Sequence, residues 1–222
     1  MSRESAMDGR DERGELAKNG PVIGEFYILR PDMRGEPHSL EFENASALRP
    51  PTARHIRPEQ GGFPAMNEIP RLRQTEAGHL HNDLDADFEG YWLVSEQLKR
   101  VFESVDPEGF AFCRCEITFA DGTVSDSSYL CDVVRVIDAI DDDASEVRIL
   151  TDGYPKGKFY KLAGGARLAF HKNAIGSAHV FRSPFNSTLV ICDRILRDAL
   201  LQSGFGEELN PRGVRLFDAA DY

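Results

Sequence analysis

The apolar positions of this chain fall into two textures. From Tyr91 onward they recur with short, regular periods, whereas residues 21–70 hold eight of the twelve prolines and little periodicity. The clearest run is Leu98, Val101, Phe102 and Val105, spaced i, i+3, i+4 and i+7. It predicts an amphipathic helix capped by Ser95 and ended by Pro107 and Gly109. Next, Ala111, Cys113, Cys115, Ile117 and Phe119 alternate with Phe112, Arg114, Glu116 and Thr118. That period of two predicts a half-buried strand closing at Asp121-Gly122, with both cysteines on its core face. Residues 129–140 are apolar-rich and fit strand or helix, strand being the preferred reading. Residues 147–150, 158–162, 166–170, 179–182 and 188–191 are short strand candidates between turn residues and predict an antiparallel sheet. Asp193 caps a second helix carrying Ile195, Leu196, Ala199 and Leu200, Gly204 stops it, and residues 214–217 form a last strand. The predicted class is α+β, an antiparallel sheet of short strands with two main amphipathic helices.

The N-terminal third reads differently. Residues 1–20 carry nine charged side chains and five apolar ones, too little to offset the entropy of ordering, and read as a flexible charged tail. Within 21–88 only residues 22–29, β-branched and aromatic, read as a strand, which stops at Arg30-Pro31. The remainder, through Pro70, reads as an irregular wrap, because each proline removes a donor and moves its predecessor out of helix. Residues 89–222 then form the regular α+β part. Within it, Leu93-Val94-Ser95-Glu96-Gln97-Leu98-Lys99 and Val190-Ile191-Cys192-Asp193-Arg194-Ile195-Leu196 share a plan of apolar pair, cap, helix. Two strand–cap–helix units are too few for a solenoid and read as pseudo-symmetry within one domain.

Composition narrows the function. In 222 residues, 26 Lys and Arg stand against 37 Asp and Glu, a formal net charge of −11. Such a surface repels bare nucleic acid and anionic membranes. No apolar run is long enough to span a membrane and no signal-peptide core is evident, so the cytoplasm is the expected compartment. Four cysteines with no CxxC pattern predict reduced thiols.

Chemistry-bearing patterns are few. His79-Leu80-His81-Asn82-Asp83 has the His-x-His-x-Asp spacing with which zinc can activate water, and it is similar to the metallo-β-lactamase motif. Leu84 stands where that motif has another His, and no strong hydrophobic strand precedes it. A polar loop is therefore preferred, with a metal-dependent hydrolase using His79, His81 and Asp83 as the alternative. Asp83, Asp85, Asp87 and Glu89 alternate with Leu84, Ala86 and Phe88, so an extended backbone puts the four carboxylates on one face. That stripe would draw a basic partner or a hard cation, or simply protect a solvated edge. A second run, Asp138 to Glu146, places five acids in nine residues, including Asp141, Asp142, Asp143 and Glu146. It lacks the alternation and central glycine of a calcium loop, and reads as a solvated or partner-facing loop. The segment 153–158 has one residue too few between its glycines and Phe159 where a phosphate loop needs Ser or Thr. No nucleophile motif and no cofactor signature occurs. Phe88, Tyr91 and Trp92 read as core ahead of an amphipathic helix rather than as an interface anchor.

Four phrases, in order, carry a resemblance. They are Asp87-Phe88 with Leu93-Val94-Ser95-Glu96-Gln97-Leu98-Lys99; Val136-Ile137-Asp138-Ala139-Ile140-Asp141 with Ser145-Glu146; His179-Val180-Phe181-Arg182; and Val190-Ile191-Cys192-Asp193-Arg194-Ile195-Leu196. With Phe26-Tyr27 as an aromatic opening, this order resembles the eleventh family of bacterial polymorphic-toxin immunity proteins, long catalogued as a domain of unknown function. Cys192 departs from the family's usual Ser, and the Pro-rich stretch from Pro50 to Pro70 is additional. The resemblance implies a cytoplasmic, non-enzymatic antidote that binds a co-encoded toxin and blocks its active site or substrate path. A basic effector such as a nuclease would complement the charge of −11, and the acidic residues Asp83, Asp85, Asp87, Asp141, Asp142, Asp143 and Glu146 would be the contacts. No cofactor, nucleic acid or membrane is implied; a homodimer is the remaining alternative.

Overall fold

The structure is a computed structural model that describes residues 20–34, 39–77 and 82–222. Along the chain these residues form β1 (Phe26–Pro31), β2 (Leu40–Phe42), α1 (Ala45–Leu48), β3 (Arg71–Gln74), β4 (Leu84–Phe88), β5 (Tyr91–Ser95), α2 (Glu96–Val105), β6 (Phe110–Thr118) and β7 (Val124–Val133). There follow β8 (Arg148–Leu150), β9 (Phe159–Lys161), α3 (Lys172–Ile175), β10 (Val180–Ser183), β11 (Asn186–Asp193), α4 (Arg194–Gln202) and β12 (Val214–Asp218). The α+β class stands, but the strands divide among a four-stranded sheet in the order β10-β11-β1-β12, a six-stranded sheet in the order β2-β3-β6-β7-β5-β4, and the ribbon β8-β9. The larger sheet is mixed, since β3 runs parallel to β6.

Capping fixes both long helices where the spacing predicts. Ser95 Oγ accepts the Leu98 backbone N–H at 3.2 Å, and Asp193 accepts that of Leu196 at 3.0 Å. At the end of α4, Gly204 adopts φ +78, and the Gly204 and Phe205 N–H groups return to the Leu201 and Leu200 carbonyls. That 5→2, 6→1 pair is a Schellman stop, which needs a left-handed residue at the glycine. Leu98 and Phe102 of α2 and Leu196 and Leu200 of α4 are buried in one cluster, where the two helices pack together.

Strand alternation distributes the rest among three cores. Tyr27 and Leu29 of β1, Val190 and Cys192 of β11, Val94 of β5 and Cys131 and Val133 of β7 face the helices between the two sheets. The opposite faces are covered by less regular chain: Phe26, Ile28 and Ile191 pack against Ala139, Tyr160, Leu168 and Phe170, while Leu93, Ile117 and Leu130 pack against Leu40, Leu48 and Ile56. The second half of β7 and residues 189–192 of β11 are thus buried on both faces, which fits the apolar run Leu189-Val190-Ile191-Cys192.

Four expectations change. The first strand begins at Phe26 rather than Val22, because Ile23 to Glu25 turn outward, and it runs through Pro31. Pro31 is tolerated because it pairs with Val214 on one side while the pairing to β11 ends at Leu29. Residues 166–170 are not a strand. Their hydrogen bonds go to Glu146, Ala219, Tyr222 and Asp141, on separate segments, and no continuous ladder forms. The strand expected over 129–140 ends at Val133, beyond which Val136 and Ile140 make isolated bridges to Arg182 and Phe170. Finally, the stretch read as an irregular wrap supplies β2 to the larger sheet and the short helix α1, and β3 joins that sheet immediately after Pro70. Arg71-Leu72-Arg73-Gln74 follows Pro70 directly, and its buried Leu72 and Gln74 mark the inward face of a strand that its charged residues disguise.

Candidate functional site

Of the acidic residues singled out by the sequence, those with described side chains in and beside β4 bond to separate partners within the chain. The pairing of β4 with β5 shifts register between Asp85 and Phe88. Asp83 accepts Ser95 Oγ at 2.5 Å and Arg212 Nε at 2.8 Å. Asp85 is buried and accepts both the backbone and side-chain amides of Asn82. Glu89, at φ +55 in the following turn, pairs with Arg49 at 2.6 Å. Asp87 lies in β4 with its side chain outside the described part, and His79 and His81 fall outside the described residues altogether.

The second run is also partly engaged within the chain. Asp141 accepts the N–H groups of Asp143 and Ala144, folding its own loop, and stands 3.6 Å from His171. Asp142 accepts Lys158 Nζ at 2.5 Å and the Tyr160 hydroxyl at 2.6 Å. Burial alone would raise the Asp142 carboxyl, but these two donors outweigh it and hold it below its ordinary range, while burial and the same bond push the Tyr160 phenol up. Asp143 is exposed, and Glu146 is 69% exposed beside Arg167.

The sequence reading missed a different feature, a pair of cavities of about 460 and 540 Å³ that share Gly90, Phe159, Arg182, Asn186 and Thr188 in their walls. Together they form a groove between the turn joining β4 to β5, the segment around β9, and the β10–β11 hairpin. Tyr91, Trp92, Tyr154, Phe159 and Phe185 supply aromatic surface. Arg30, Arg57, Lys156, Lys158, Lys161 and Arg182 supply positive charge, against Glu59 as the single acidic side chain among the described lining residues.

A buried charge cluster holds this groove in place. Asp132, 0% exposed on β7, accepts Arg57 Nε and Arg182 Nη2, each at 2.8 Å, and the Gly62 N–H at 2.7 Å. Arg182 also donates to the Val133 and Ser187 carbonyls. One carboxylate therefore ties the segment 57–62, the six-stranded sheet and the four-stranded sheet at a single point. Two guanidinium groups share it, so the cluster keeps one positive charge in excess. Burial lowers the Arg182 pKa, as desolvating a cation must. The signal that could have found it is a lone charged residue inside an otherwise apolar stretch, as in Leu130-Cys131-Asp132-Val133-Val134 and, ahead of Ser183, Val180-Phe181-Arg182.

Nucleophilic chemistry has little support in this arrangement. Cys115, Cys131 and Cys192 are buried and Cys113 is half-buried; burial raises each thiol, Cys115 to about 12, away from the reactive thiolate. Among the described residues no three His, Cys, Asp or Glu side chains are grouped to hold a metal ion. Nor is any helix among them long and apolar enough to cross a membrane.

The described part is thus an α+β fold that carries a charged, aromatic-walled groove. Residues 25–221 match the profile of the Immunity protein family (Imm11), and the chain belongs to that family. No curated protein matches the chain.

Proposed function

We propose that this chain is a non-enzymatic immunity protein that neutralises a cognate bacterial toxin in the cytoplasm by binding it directly. The observation that carries this reading is membership of the immunity family over nearly the whole chain. The net charge of −11 favours a toxin whose overall surface is basic, a nuclease being one such class. Of the acidic residues proposed as contacts, Asp143 and Glu146 face outward and would steer association, while Asp83, Asp85 and Asp142 would act through the loops they hold. The units β5–α2 and β11–α4 are read as diverged copies of one strand–cap–helix plan that frames the central core.

The test is affinity purification of the tagged full chain from its native host, with identification of the bound protein and titration of the complex against salt. The expected result is a stoichiometric partner that is lethal when expressed alone and harmless when this chain is co-expressed. A preparation without a partner, together with failure to relieve the lethality of the neighbouring gene product, would overturn the reading. Asp143→Lys with Glu146→Lys should slow association severalfold with little change in dissociation, since exposed charges act mainly on the rate of encounter.

A further inference from the structure

We infer that the cationic groove seats an acidic, extended segment of the toxin; the inference rests on the immunity reading above. Its first support is sign. On a chain of net charge −11, the two cavities gather six Lys and Arg side chains and Glu59. The second is that much of this charge is unspent inside the chain. Lys156 and Lys161 have no ion-pair partner among the described residues, and Arg30 bonds to the neutral Tyr222 hydroxyl at 2.6 Å and lies over the Phe217 ring. Arg57 and Arg182 share Asp132 alone, and only Lys158, held by Asp142, is neutralised one to one. Excess charge beside aromatic walls, partly removed from water, is a site that a carboxylate relieves.

Two further observations select the occupant. A long polyanion such as nucleic acid would bring its own charge against the whole acidic chain, whereas a short acidic stretch in an otherwise basic protein would meet attraction over both surfaces. The wall common to both cavities includes Phe159 of β9, a three-residue strand paired with β8 whose outward Tyr160 carbonyl is taken by Asn186 Nδ2 at 3.0 Å, so an occupant is held by side chains lining the groove and not by strand addition. A short extended peptide lying along the two joined cavities would set its carboxylates beside Lys156 in one and Lys161 in the other.

The experiment uses the full chain and three fluorescent probes, an octaglutamate peptide, an octalysine peptide and an octa-uridylate oligonucleotide, read by anisotropy at about 0.15 M salt. The groove variant is Lys156→Glu with Lys161→Glu, and Arg100→Glu with Arg194→Glu on the helices carries the same charge change at exposed positions away from the cavities. Octaglutamate should bind the wild type and the helix variant within about twofold of each other, and the groove variant about tenfold or more weakly. The milder Lys156→Gln with Lys161→Gln gives the same reading should the charge reversal fail to fold. Absence of octaglutamate binding, equal binding by the groove variant, or groove-dependent preference for octa-uridylate overturns the inference. Purified with its toxin, a groove variant that captures as much toxin as the wild type overturns the groove and leaves the immunity reading standing. A wild type that captures no toxin overturns the immunity reading itself, whatever the peptide does.

Discussion

Replacing Asp132 by Asn tests the charge cluster that organises the groove. The carboxylate is fully buried, and the two guanidinium groups it serves are 12% and 9% exposed. In the variant one amide oxygen can still accept one Arg, but the amide donor then faces the remaining Arg N–H or the Gly62 N–H, where three donors formerly met two oxygens. Two cations are left without a counter-charge, a loss that typically costs about 3–5 kcal/mol. With a urea dependence of about 2 kcal/mol per M for a chain of this size, the unfolding midpoint should fall by roughly 1.5–2.5 M.

Arg57→Ala supplies the internal comparison, because it leaves Asp132 and Arg182 as a neutral pair. It should cost about 1.5–3 kcal/mol, the worth of a charge-assisted hydrogen bond, and therefore less than Asp132→Asn. Equilibrium urea unfolding followed by far-UV circular dichroism, with the slope unchanged, reads both variants. A midpoint shift equivalent to less than about 1 kcal/mol for Asp132→Asn, or a larger loss for Arg57→Ala, would refute the reasoning: the cluster would then be solvated, or the segment 57–62 would not dock.

Three other perturbations follow from the same contacts. Asp106 lies at the end of α2; burial raises its carboxyl, but Arg135 and the His179 and Val180 N–H groups outweigh that and lower it overall. Its contribution is therefore complete above the ordinary carboxylate pKa of about 3.9 and is lost as pH falls through the lower folded value. The stability gap between wild type and Asp106→Asn should be flat from neutral pH down to about 5 and narrow below about 4, and a gap that widens on acidification would contradict it. Asp193→Ala should cost about 1 kcal/mol or more, because it removes the α4 cap together with the 2.8 Å contact to His179, whereas Asp193→Asn should retain most of the cap; thermal melts compare them. Gly213→Ala puts a methyl 2.3 Å from the Leu84 carbonyl oxygen at φ +86, while Gly122→Ala meets open space at φ +85. Both should destabilise, but Gly213→Ala by at least about 1 kcal/mol more; equal midpoints would mean that this approach to β4 does not exist.

What the sequence made legible were elements whose information is local. Ser95 and Asp193 start helices through contacts three residues away, and Gly204 stops one through contacts three to five residues back. The alternation of 111–119 likewise placed β6, its turn and the inward Cys115. Strand β3 was hidden because two Arg side chains flank its single aliphatic residue, and its parallel partner β6 comes only after β4, β5 and α2. The acidic runs were legible as charge, but their partners were not. Asp83 meets Arg212 across 129 positions and Asp132 meets Arg57 across 75, separations over which no periodicity carries information.

The same limit separates what net charge says from what a partner would touch. A total of −11 is a sum over the whole chain, and it governs how a partner is drawn from a distance. What a partner touches is the local remainder after internal pairing. Asp83 and Asp142 spend their charge on Arg212 and Lys158, and Asp85 is buried with its oxygens on Asn82, so these carboxylates offer less at contact than their composition implies. The groove has the opposite history: Asp132 answers two guanidinium groups, Lys156 and Lys161 are answered by none among the described residues, and the remainder there is positive. A toxin drawn in by one sign and gripped through the other would show salt-sensitive association and a dissociation rate set by the groove, so that substitutions at Asp143 and at Lys161 should separate into the two rates.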